Sequence, residues 1–168
     1  RDEEHNIGRL LDSIQKQKYP QRLFEVIVID DYSTDKTAEI IKSYDNVRYY
    51  HMQDLVEESF ANSFKKKAIT EAVALAKGNI IVTTDADCKV GENWLLAIAN
   101  SMKEHNYKAM AAPVMFFEKN TILNIFQELD FIAMQGITAS VLSSNQGAMS
   151  NGANFVYTKS AFYEVEGF

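Results

Sequence analysis

Two pairs of acids stand where chemistry is possible. Asp85 and Asp87 close the apolar run GNIIVTTDADC at residues 78–88, and Asp30 and Asp31 close FEVIVI at 24–29. Neighbouring carboxylates repel each other unless a cation or hydrogen-bond donors compensate. Hard divalent cations such as Mg²⁺ take oxygen ligands, usually one or two carboxylates plus phosphate oxygens of a substrate. The Asp85-Ala86-Asp87 spacing therefore suits a metal-diphosphate site. A solvated acidic turn is the competing reading, because a three-residue motif decides little by itself.

The elements around these acids can be read from periodicity. Ile80, Ile81, Val82, Thr83 and Thr84 form a run too short for a helix and rich in β-branched residues, which fit a pleated surface. Residues 24–29 make a second buried strand, 47–51 a third and 155–158 a last one. The segment at 109–117 reads as a strand that Pro113 demotes toward an edge or bulge. Ile7, Leu10, Leu11 and Ile14 follow helical spacing, and Pro20 ends that helix. YSTDKT is a turn able to cap a helix carrying Ala38, Ile40 and Ile41. Residues 64–77 read as a helix with Ile69, Val73 and Ala76 inward and Gly78 as its stop. Residues 92–105 form another, with Trp94, Leu95, Ile98 and Met102 on one face. The long apolar face of 121–142 reads as core, with interfacial membrane binding as the alternative. Residues 52–63 lack a period, and a loop of that length is usually functional or mobile. A glycine-bearing polar loop at 143–154 precedes the last strand, and a helix begins at 159–164. The alternation predicts one α/β domain over 1–168, with a mostly parallel sheet and helices on both faces. In such sheets ligands bind beyond the carboxyl ends of the strands, where both acid pairs fall.

Bulk properties narrow the function. The 168 residues carry a net charge of −6, which argues against nucleic acid as a partner, since phosphate backbones are met by basic patches. A nucleotide held through a metal stays open. The one cysteine, Cys88, excludes an internal disulfide framework and fits a reducing compartment. There is no apolar run of spanning length and no signal peptide.

Taken in order, the motifs resemble the family 2 glycosyltransferases. Asp2, Glu3 and Glu4 stand where that family has NEE ahead of an apolar helix, and Tyr19-Pro20 matches its QxYP. VIVIDDYSTDKT is similar to VVDDGSTDxT, with Tyr32 in place of the usual glycine. AKGNIIVTTDAD resembles AKGExxxxxDAD, and SNGANFVYTKSAFYEVEGF resembles GxNxxxRRxxxxxVGGF, with Glu166 at a common glycine. The resemblance implies a GT-A, Rossmann-like fold, truncated at both ends. It also implies an inverting transfer of sugar from a nucleotide-sugar donor, a UDP-sugar first, with Mg²⁺ or Mn²⁺ as cofactor. The implied acceptor is a carbohydrate or a lipid-linked group, as in synthesis of cell-envelope polysaccharide or glycoconjugates. The implied location is the cytoplasm, with association at the inner face of the membrane open to segments outside this chain.

The same resemblance assigns roles by position. Asp31 would accept the imide N–H of uracil, with Asp30 structural; helix capping is the plain alternative for Asp31. Glu3 would touch the nucleoside and Lys65 the nucleotide, against exposed-acid and solvated-charge readings. Asp87 would bind the metal, and Asp85 the ribose or the metal. Gly152 and Asn154 would lie near the donor sugar and acceptor, unless GxN is only a turn. Cys88 and Trp94 read as packing residues. The family's first strand would precede Arg1 and its general base would lie beyond Phe168, so no base is assigned; Glu164 and Glu166 belong to an earlier helix and turn. Two other classes fit parts of the pattern. Sugar nucleotidyltransferases share a related sheet, and VIVIDD also resembles the first strand of phosphoacceptor receiver domains, which have no place for AKGNIIVTTDAD.

Overall fold

Short β-branched runs alternating with amphipathic segments build the computed structural model, which describes residues 1–55, 64–116, 121–144 and 151–167, with the side chains of Phe64 and Lys65 left out. Strands β1 (Val26–Asp30) and β2 (Val47–His51) pair in parallel, from Val26 opposite Val47 to Asp30 opposite His51. Helix α2 (Thr37–Lys42) makes the crossover between them. Helix α1 (Ile7–Gln15) packs on this unit through Ile7, Leu10, Leu11 and Ile14, joined by Ile41 of α2. Burying a side chain of this size contributes about 1.5–3 kcal/mol, so the stripe at helical spacing suffices to fix α1.

The remaining strands form a second sheet. Strands β3 (Ile80–Thr83), β4 (Ala109–Ala111) and β5 (Phe155–Thr158) lie in the order β3-β5-β4, with β5 antiparallel to both neighbours. The parallel pairing expected from the alternation thus holds for β1 and β2, while both pairings of the second sheet are antiparallel. Its direction is set at Thr83, which pairs with Phe155 so that β5 runs back along β3. Period-2 alternation puts β5 between helices on both faces. Val156 packs with Ile98 and Met102 of α5 (Trp94–His105), and Tyr157 with Val73 of α4 (Phe64–Leu75). Phe162 of the terminal helix, Lys159–Glu164, completes the second cluster.

Several boundaries depart from expectation. The strand expected at 109–117 stops at Ala111, because Pro113 offers no donor to a ladder; residue 117 lies outside the described residues. The expected loop at 52–63 opens with a helical turn, α3 (Met52–Leu55), anchored by a fully buried Met52; residues 56–63 lie outside the described residues. So do 145–150 of the loop at 143–154.

The largest difference concerns α6 (Ile122–Ser143), whose apolar face does not form core among the described residues. Ile122, Phe126 and Leu129 are 88%, 67% and 62% exposed. Among the described residues the Val114 segment holds the helix. The Gln135 amide donates to the Val114 carbonyl and accepts its N–H, both at 2.8 Å, and Phe131 lies 5.2 Å from Phe116. Among the described residues no helix is long and apolar enough to cross a membrane. With the final helix counted as α7, five strands, seven α-helices and two short 3₁₀ helices are described.

Candidate functional site

β3 ends at Thr83, so Asp85 and Asp87 lie just past the strand, the first half-buried and the second exposed. A turn closes there through the Cys88 N–H, which donates to the Asp85 carbonyl at 3.1 Å. Two long-range bonds hold the turn. The Thr83 hydroxyl lies 2.7 Å from the Gly152 carbonyl and 3.1 Å from that of Phe155, which keeps the GxN turn beside the acids. The Arg9 guanidinium donates to the Asp87 main-chain carbonyl at 3.1 Å and to Asn6 Oδ1 at 3.0 Å. Arg9 therefore grips the loop by its backbone. Among the described residues no ion pair engages the Asp87 carboxylate, whose recorded neighbour is the Cys88 thiol at 3.9 Å.

The other acid pair divides its work. Asp30, 4% exposed, accepts the Ser33 N–H at 3.1 Å and the Tyr49 hydroxyl at 3.0 Å, which makes it structural, as expected. Burial and this carboxylate together push the Tyr49 phenol up to about 12. Asp31 faces the rim, where Arg1 donates to its carbonyl and, at 3.2 Å, to its carboxylate. At the start of α2 the first helical N–H, that of Thr37, goes to Asp35 at 2.9 Å, so the capping alternative for Asp31 is not realised.

An N-terminal arm connects the two acid groups. Asp2, Glu3 and Glu4 donate their N–H groups to Ser33, Thr37 and Asp35, at 2.8–3.0 Å, zipping residues 2–4 onto the turn after β1. The Glu3 carboxylate accepts from the Asn6 amide at 2.8 Å, and Asn6 in turn accepts from Arg9. Asp31 at Arg1 and Asp87 at Arg9 are thereby tied to one short arm. Glu3 lies inside this arm, half-buried.

The remaining expected residues are placed unequally. Lys65 is in the first turn of α4, and its side chain lies outside the described residues. Gly152 is exposed, and a Cβ there would meet nothing within 4 Å, so no packing demands glycine. The Asn154 amide expected to meet a sugar hydroxyl is occupied at both ends. It accepts from Trp94 Nε1 and donates to the Pro113 carbonyl, both at 3.0 Å, bracing α5 against the segment after β4. Trp94 packs beside Ile98 and Met102, in the packing role expected of it.

Periodicity does not reveal some of the supporting residues. Glu25 accepts the N–H groups of Lys77 and Gly78 and pairs with Arg48, clamping the AKG segment that leads into β3. Burial pushes its carboxyl up, but these donors outweigh that and hold it below the usual range. Tyr32 carried a visible signal, as the departure from glycine, and its φ of 57° is left-handed. Glu166, the other departure, has φ of 61°. Both positions adopt the backbone that glycine tolerates best.

The donor set fits a hard divalent cation. Asp85 and Asp87 supply oxygen ligands at a strand end, and among the described residues no third His, Cys, Asp or Glu completes a closed cage. Two carboxylates leave positions for phosphate oxygens, the arrangement in which Mg²⁺ usually binds. A separate hollow of about 160 Å³ opens between Leu11, Phe24 and Arg48 at the opposite ends of β1 and β2. Glu25 lines it, but none of Asp30, Asp31, Asp85 and Asp87 does, and the strand-end geometry identifies the site better than that concavity does.

Comparison with known proteins gives these features a family. The model for glycosyl transferase family 2 matches residues 1–165. A beta-monoglucosyldiacylglycerol synthase from Nostoc sp. is 34% identical over 102 residues, 58% of this chain and 21% of the relative. The structure of residues 1–349 of S. aureus TarS in complex with UDP-GlcNAc has a TM-score of 0.66 at 20% identity, covering 98% of this chain and 44% of that one. A mannosyltransferase from Pyrobaculum calidifontis, in complex with GDP-Man and Mn²⁺, has a TM-score of 0.64 at 22% identity, covering 98% and 44%. This chain thus spans about a fifth of the length of that curated relative. The neighbours share the GT-A fold, and the chain belongs to glycosyl transferase family 2.

Proposed function

We propose that this chain is the donor-binding part of an inverting glycosyltransferase that moves sugar from a UDP-sugar to an acceptor hydroxyl. In this reading the acceptor oxygen attacks the anomeric carbon, the bond from that carbon to the phosphate oxygen breaks, and the nucleoside diphosphate leaves with the electron pair. The hydroxyl proton goes to a base not assigned in this chain. Asp31 accepts the uracil imide N–H, Glu3 and Lys65 attend the nucleotide, and Asp85 takes the ribose or shares the cation with Asp87. Bound Mg²⁺ or Mn²⁺ would offset the charge that builds on the departing diphosphate. Gly152 keeps backbone bulk low beside the donor sugar, and Asn154 serves that region through its brace to Trp94.

The observation that carries this reading is the shared arm, with Asp31 bonded at Arg1 and the Asp87 loop bonded at Arg9. In this reading, acids from the ends of two strands border one rim. A carbohydrate or lipid-linked acceptor, and attachment at the inner face of a membrane, belong to the same proposal. Thermal unfolding in UDP and Mn²⁺ tests it. A ligand that binds only the folded state adds about 2.7 kcal/mol at 100 times its dissociation constant, a visible rise in Tm. The rise is expected to be larger with UDP than with ADP or GDP. Equal rises with all three contradict the role of Asp31.

A further inference from the structure

We propose that Tyr32 and His51 form an aromatic corner that stacks the donor's nucleobase, a wall this chain adds beside the Asp31 carboxylate. The inference rests on the donor-binding reading above. Tyr32 follows Asp31 directly at the end of β1, and His51 is the last residue of β2, paired in register with Asp30. Their rings meet edge to face, with centroids 5.3 Å apart and planes at 82°. Both side chains are half-buried. A left-handed backbone crowds any residue with a Cβ, so a tyrosine at φ 57° sits where glycine would be unstrained. Such outliers gather at ligand sites, where the side chain supplies what the strained backbone costs.

Arg1 shows what the corner accepts. Its guanidinium is planar, lies 5.9 Å over the Tyr32 ring, and donates N–H bonds to the carbonyl and carboxylate of Asp31. A uracil ring has the same two properties, a flat π-face and an imide N–H. Ring and carboxylate together therefore select a planar N–H donor, where the carboxylate alone would select only charge or hydrogen bonding. Glycine at this position would leave the carboxylate without its aromatic floor.

Calorimetric titration of UDP in Mn²⁺, beside pyrophosphate in Mn²⁺ as a base-free probe, separates the outcomes. Tyr32→Gly is expected to weaken UDP about tenfold, the usual scale for loss of one base-aromatic stack, and to leave pyrophosphate unchanged. Its Tm should hold or rise, because glycine relieves the left-handed backbone. Tyr32→Phe should bind UDP like the unaltered chain, since the ring and not the hydroxyl does the work. Unchanged UDP affinity in Tyr32→Gly overturns the inference, as does equal weakening of UDP and pyrophosphate, or loss of affinity in Tyr32→Phe. If the unaltered chain binds pyrophosphate but not UDP, or binds neither, the donor-site reading itself falls and this one with it.

Discussion

Arg9 holds the Asp87 loop by its main-chain carbonyl, at 3.1 Å, and leaves the Asp87 carboxylate outside any ion pair among the described residues. A cation on the carboxylate would have cancelled the charge a metal needs, whereas a cation on the carbonyl fixes the loop and preserves it. Arg9→Gln should therefore loosen the loop while the fold persists. The expected cost is about 1.5–3 kcal/mol in stability, the range for a bond to a charged donor, together with weaker Mn²⁺-dependent UDP binding. Denaturant midpoints and UDP titrations measure the two effects. Undiminished UDP binding would mean that the loop needs no support from α1.

Glu25 makes stability depend on acid. Its folded carboxyl lies below the ordinary value, so its contribution is complete above the unfolded value, about 4.3, and is lost as pH falls through the folded one. Glu25→Gln should cost about 1–3 kcal/mol at neutral pH, and its stability curve should converge with the unaltered one as pH falls through the lowered folded value. Urea unfolding from pH 7 down to 3 checks this. A constant gap across that range would contradict the clamp.

Two tyrosines, Tyr49 half-buried and Tyr157 buried, should respond in opposite ways to loss of the hydroxyl. Tyr49 donates to buried Asp30, so Tyr49→Phe leaves a carboxylate oxygen short of a partner and should cost about 1–3 kcal/mol. The Tyr157 hydroxyl is buried with no hydrogen-bond partner among the described residues, so Tyr157→Phe should be neutral or stabilising. Burial raises Tyr157 to about 12, so its contribution is whole below pH ~10 and is lost as pH rises through the folded value. Tyr157→Phe should accordingly flatten the alkaline limb of the stability profile, which circular dichroism melts can follow.

What was legible in the sequence was local. The β-branched runs at Ile80–Thr83 and Phe155–Thr158 and the stripe Ile7, Leu10, Leu11, Ile14 need only neighbours in the chain to be recognised. The position of Asp85 and Asp87 past a strand follows from where such a run stops. What was not legible depended on distant partners. Spacing does not reveal that the Asn154 amide oxygen accepts from Trp94, sixty residues away, or that Arg9 of α1 donates to the Asp87 carbonyl. Helix α6 shows the same limit. Its spacing announces an apolar face, but spacing cannot say that the described residues leave much of that face exposed.

The account stands most directly on Asp87 as a metal ligand. UDP titrations of the unaltered chain and of Asp87→Ala, each with and without Mn²⁺, measure it. Because Asp87 is exposed and past β3, the substitution should leave the unliganded Tm within about 2 °C, since exposed positions away from special features usually change stability by no more than ~0.5 kcal/mol. The account predicts that Mn²⁺ strengthens UDP binding to the unaltered chain and has no effect on Asp87→Ala. Full Mn²⁺ dependence in Asp87→Ala would contradict it.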